Sequence, residues 1–166
     1  MHRVAICAIF VALCLACFPI HAEDTAGARV CVGVLGSAGG RSGTVARDAL
    51  IKSLNKQKKP PLTPVPLESS LPDEALAEAT QKTCEYVVTT NLVEDHTESG
   101  YGPGLSGVSI PHFFVTTGYK LSKVSDGAEV SSGSCKAQDT GSSQNAVGFT
   151  MTKIAAKVDG AINVAK

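Results

Sequence analysis

The chain contains no tryptophan, few aromatic residues of any kind (5%) and no excess of either charge, and each shortage closes off a class of protein. Fifteen Lys and Arg balance fifteen Asp and Glu, so no electrostatic field draws the chain to nucleic acid or to anionic lipid. The longest apolar run, residues 4–18, is too short for a permanent membrane-spanning helix. What is present, 43% hydrophobic and 18% charged residues in 166, is the composition of one ordinary globular domain.

The apolar run follows a single basic residue, Arg3, and is broken by Pro19; Ile20-His21-Ala22 then supplies the small residues that signal peptidase reads. This pattern predicts a signal peptide over residues 1–22, a mature chain beginning at Glu23, and an exported, periplasmic or extracellular location. A buried N-terminal helix would need an amphipathic stripe, which residues 4–18 lack. Lipidation at Cys17 is the competing route, because Leu15-Ala16-Cys17 places a small residue before a cysteine. The aliphatic position three before that cysteine is filled by Cys14, so plain secretion is preferred. Cleavage leaves Cys31, Cys84 and Cys135, an odd number without Cys-x-x-Cys spacing. Redox and structural-zinc motifs are thereby excluded, and at most one intramolecular disulfide remains, between any two of the three.

Residues 23–28 read as a short tail and residues 29–166 as a single α/β domain. Residues 29–35 form a β-branched, nearly continuous apolar run, as a central parallel strand requires. Val45, Ala46, Ala49, Leu50 and Leu54 recur on one face of a helix over residues 42–55. The prolines at 60, 61, 64 and 66 restrict residues 56–67 to an edge strand or an extended loop, since each removes a ladder donor. Ser69-Ser70 with Pro72, Asp73 and Glu74 predict the start of a second helix ending near Lys82. A strand over residues 84–93 follows, then a polar, glycine-containing loop over residues 94–111. Asp126-Gly127 between residues 113–124 and 128–138 signals a hairpin. Val147, Met151, Ile154, Ala155, Val158 and Ile162 mark a final helix over residues 143–164. The order βαβαβββα, with right-handed crossovers, puts the first strand in the middle of a mixed sheet of about five strands. The proline-bearing strand then lies on one side, the Cys84 strand and the hairpin on the other, and the last helix packs on the sheet in a three-layer domain.

This order is joined by three local features: the opening Val-x-Val-Gly-Val-Leu strand, Ala-Arg-Asp-Ala-Leu at residues 46–50, and an alanine-rich helix leading into Cys84-Glu85-Tyr86-Val87-Val88-Thr89-Thr90. Together they resemble the amino-terminal domain of TolB and the related CsgG and LpoB envelope proteins, over residues 29–165. The resemblance implies an envelope or secretion-system component without catalytic residues.

The chemistry-bearing motifs point the same way. Gly36-Ser37-Ala38-Gly39-Gly40 before a helix invites a phosphate reading, yet three residues rather than four separate the outer glycines, Arg41 stands where a Walker loop has lysine, and the dinucleotide spacing is absent. The glycines then serve a tight strand-to-helix turn. Glu94, Asp95, His96 and Glu98, with His112 at the loop's end, carry metal-ligating groups at no known ligand spacing. Gly104-Leu105-Ser106-Gly107 is not a nucleophile elbow. No catalytic, cofactor or metal residue is assigned. The candidate surface for an envelope protein partner is the loop bearing Glu94, His96, Tyr101, Leu105 and His112. The alternative is a small-molecule- or metal-binding enzyme subunit that uses the Gly36–Gly40 turn or the His96/His112 region.

Overall fold

The computed structural model describes residues 29–36, 40–57, 61–69, 71–101 and 109–165. The expected signal peptide, the tail, Cys17 and Leu105 lie outside them. The elements are β1 (Val30–Leu35), α1 (Gly40–Leu54), β2 (Leu62–Leu67), α2 (Pro72–Gln81), β3 (Tyr86–Tyr101), β4 (Ser109–Lys123), β5 (Glu129–Asp139) and α3 (Ser143–Ala165), in the βαβαβββα order read from the sequence. They build one five-stranded mixed sheet in the order β2-β1-β3-β4-β5. β1 pairs in parallel with β2 and β3, while β3, β4 and β5 pair antiparallel.

Because side chains alternate along a strand, the two faces of β1 feed two cores. Val30, Val32 and Val34 meet Ala46, Leu50 and Leu54 of α1 and Met151, Ile154, Val158 and Ile162 of α3. Leu35 and Cys31 on the other face join Leu67, Ala75 and Ala79 under α2. The sheet is therefore covered by α1 and α3 on one side and by α2 on the other, a three-layer arrangement. Val45, placed by helical periodicity on the inner face of α1, is instead 37% exposed. β2 is an edge strand, and Pro64 and Pro66 sit where the sheet has no further neighbour to receive a donor.

Two local details differ from the sequence expectation. The α2 N-cap is Leu71, without a side-chain cap, and Pro72 opens the helix. Ser69, expected to cap, turns to Glu78 instead: its hydroxyl (2.6 Å) and backbone N–H (3.0 Å) both donate to that carboxylate. Lys82 pairs with Glu78 at 2.8 Å, and Lys82, followed by the Ser69 donors, holds the Glu78 carboxyl down to about 2. The cysteine ambiguity also resolves. Cys31 of β1 is bonded to Cys84 just before β3, with Cα atoms 4.4 Å apart, and Cys135 is the buried free thiol.

The largest departure is the loop expected over residues 94–111. β3 runs through to Tyr101 and β4 begins at Ser109, so most of that segment is a paired antiparallel ribbon, with register from Glu94↔Thr116 to Tyr101↔Ser109. Hydrophobic alternation is silent over residues 94–99, which are polar on both faces. The ladder with Ile110, Phe113, Phe114 and Val115 decides the conformation.

Candidate functional site

The ribbon carries the candidate residues beyond the helical layers. Between Leu92↔Thr117 and Glu94↔Thr116 the register shifts, leaving Val93 as an extra residue that is 60% exposed. A bulge at this place re-aims the strand beyond it. From there Glu94, His96 and Glu98 fall on one face of β3, opposite Thr116, Phe114 and His112 of β4. Lys136 and Gln138 of β5 continue the rows of Thr116 and Phe114. This is the α2 side of the sheet, but α2 packs chiefly on β1, β2 and β3, so among the described residues no helix covers the outer strands on this face.

On that face the polar groups are organised. Nδ1 of His96 is 3.2 Å from Glu94 Oε1 and Nε2 is 3.3 Å from Glu98 Oε1. Glu94 also accepts a hydrogen bond from Thr116 Oγ1 at 3.2 Å. The His96 ring stacks on Phe114 at 4.9 Å with an interplanar angle of 11°, and the His112 ring centre is 6.5 Å from that of Phe114. His112 Nδ1 meets Gln138 Nε2 at 2.8 Å. Gly100 keeps room for this ring, since a Cβ there would come within 3.3 Å of His112 Nε2. Glu94, His96 and His112 are thus brought together around Phe114. The backbone of Tyr101 ends the strand, and Leu105 lies outside the described residues. Phe114 and Gln138 were not singled out from the sequence; only pairing across three strands assembles them.

Among the described residues no group of three or more His, Cys, Asp or Glu is placed to hold a metal ion. At the other candidate, Gly36 packs against α1, where a Cβ would lie 2.9 Å from the Gly43 carbonyl oxygen. A close backbone approach accounts for glycine there without a ligand. Arg47, two turns into α1, donates to the Leu67 carbonyl and to Glu68, both at 3.2 Å, and ties α1 to the end of β2. Among the described residues no helix is long and apolar enough to cross a membrane.

The sequence matches no family model, and a search of curated proteins returns no significant match. Solved structures do match. PelC from Paraburkholderia phytofirmans, solved as a dodecamer, aligns with a TM-score of 0.55 at 18% identity, over 79% of this chain and 86% of that one. The hypothetical protein CT253 from Chlamydia trachomatis aligns at 0.51 and 13% identity, over 81% of this chain and 96% of that one. The lipoprotein GNA1162 from Neisseria meningitidis aligns at 0.48 and 11% identity, over 79% and 99% of the two chains. At these identities the likeness is one of fold. It does not extend to TolB, CsgG or LpoB as families.

Proposed function

We propose that this chain is a non-catalytic, exported envelope-associated protein that binds another protein through the β3–β4 ribbon. The observation that carries the reading is the ribbon itself: two long strands run past the helical cover and present Glu94, His96, Glu98 and His112 around a half-buried Phe114. An aromatic ring flanked by polar groups that already have hydrogen-bond partners suits a protein interface, where such rings act as anchors within a polar rim. The signal-like residues 1–22 support export, and the Cys31–Cys84 disulfide is at home in an oxidising compartment. The dodecameric assembly named for PelC supports use of this fold in protein–protein contact.

The test shortens the ribbon. Replacing residues 98–112 by a two-residue Asn-Gly turn leaves Thr97↔Phe113 as the last pair and removes none of the buried core residues. The shortened chain is expected to keep its melting temperature within a few degrees and to lose the partner recovered with the intact chain from cross-linked envelopes. Recovery of the same partner at the same yield would refute the reading.

A further inference from the structure

A second surface is independent of the ribbon. The sheet has two edges, and they differ in what they can accept. β2 is blunted by Pro64 and Pro66, whereas β5 contains no proline and, among the described residues, has no strand on its outer side. In an antiparallel ladder alternate residues turn both backbone groups away from the partner strand. The Lys136 carbonyl accepts from Lys153 Nζ at 2.6 Å, so it points away from β4. Ser132, Ser134 and Gln138, at the same parity in the register, share that direction. Once Lys153 swings off the Lys136 carbonyl, such an edge is a template for another strand.

We infer that the occupant of this edge is a second copy of the chain, joined β5 to β5 about a two-fold axis through Ser134. Three features are self-complementary about that point. Lys136 and the Ser132–Glu129 pair share the face of β5 away from α3, with Ser132 Oγ donating to Glu129 at 2.6 Å. Antiparallel pairing centred on Ser134 sets each Lys136 opposite the other copy's Ser132, within side-chain reach of its Glu129.

On the opposite face α3 flanks the same edge. Phe149, one turn before Lys153, and Val164, in the hollow beside Val130, are its two large exposed apolar side chains, at 51% and 89%. Lys153 reaches the Lys136 carbonyl, and Gly160 lines one hollow with Val130. The midpoint between Phe149 and Val164 therefore falls beside Ser134. The two-fold thus brings each Phe149 towards the other copy's Val164. Between them stand the exposed Lys153 and Lys157 together with Ala156, also exposed, and Gly160, where a Cβ would meet nothing within 4 Å. Ala156 and Gly160 leave room for the two helices to approach, with the Lys153 and Lys157 heads turned out to solvent. The resulting contact repeats one patch on both copies, as a closed dimer requires.

The test measures association of the purified protein by sedimentation across a concentration series. The intact chain is expected to sediment as a concentration-dependent dimer. Ser134→Pro places a ring on the outward edge, where the monomer needs no donor, and is expected to sediment as a monomer with unchanged circular dichroism. If that variant misfolds, charge reversal decides. Lys136→Glu should weaken dimerisation about tenfold through the two symmetric pairs, and adding Glu129→Lys should restore it. A chain that is monomeric at all concentrations, or an assembly indifferent to both Ser134→Pro and Lys136→Glu, would overturn the inference.

Discussion

Replacing Cys31 and Cys84 together by alanine removes the covalent tie between β1 and the start of β3. The closed segment, 53 residues in sequence separation, contains α1, β2 and α2. For a loop of that length the chain-entropy relation gives about 4 kcal/mol of stabilisation through restriction of the unfolded chain. This is a large share of the ~5–15 kcal/mol by which domains of this kind are stable. With a urea dependence of about 2 kcal/mol per molar, the unfolding midpoint should fall by roughly 2 M in the double alanine variant. Reductant should lower the intact protein by a similar amount and leave the variant unmoved, because Cys135, 5% exposed, has no partner to lose. A thiol assay on the unfolded, non-reduced mature chain should count the single thiol of Cys135. Equal midpoints with and without reductant, or three free thiols, would refute the pairing.

Ile154 is fully buried where α3 meets the sheet, so Ile154→Asp places an unpaired carboxylate in the core at a cost of several kcal/mol, read as loss of cooperative melting. Gly36→Ala puts a Cβ 2.9 Å from the Gly43 carbonyl and should destabilise by about 1–3 kcal/mol in urea unfolding, with no change in any nucleotide-dependent melting shift. Glu78→Gln removes a carboxylate held at about 2 in the folded chain against 4.5 ordinarily. That stabilisation is complete above pH 4.5 and disappears as pH falls towards 2. The variant should therefore trail the parent by about 1–2 kcal/mol at pH 7 and converge with it in acid.

Much of this fold was written in local patterns. Val30, Val32 and Val34 at one parity with Cys31 and Leu35 at the other announced a strand buried on both sides, the prolines at 64 and 66 announced an edge, and Asp126-Gly127 announced the β4–β5 turn. The last helix was legible because Met151, Ile154, Val158 and Ile162 keep one face. The ribbon was not legible, because its β3 half is polar on both faces and pairing alone reveals its period of two. The site shows the same division. Glu94, His96 and His112 drew attention as residue types, but their grouping around Phe114 and Gln138 depends on a register shift at Val93 that no local pattern encodes. The Cys31–Cys84 bond likewise depends on β1 and β3 being neighbours, a property of the topology.

Whether the ribbon is the partner-binding surface of an exported protein is decided by placing a photo-activatable amino acid at Glu98 on the ribbon face and, as a control, at the exposed Lys52 on α1. After irradiation of intact cells, position 98 is expected to give a discrete cross-linked adduct that is absent from position 52. No adduct at position 98, or the same adduct from both positions, would contradict a partner-binding ribbon.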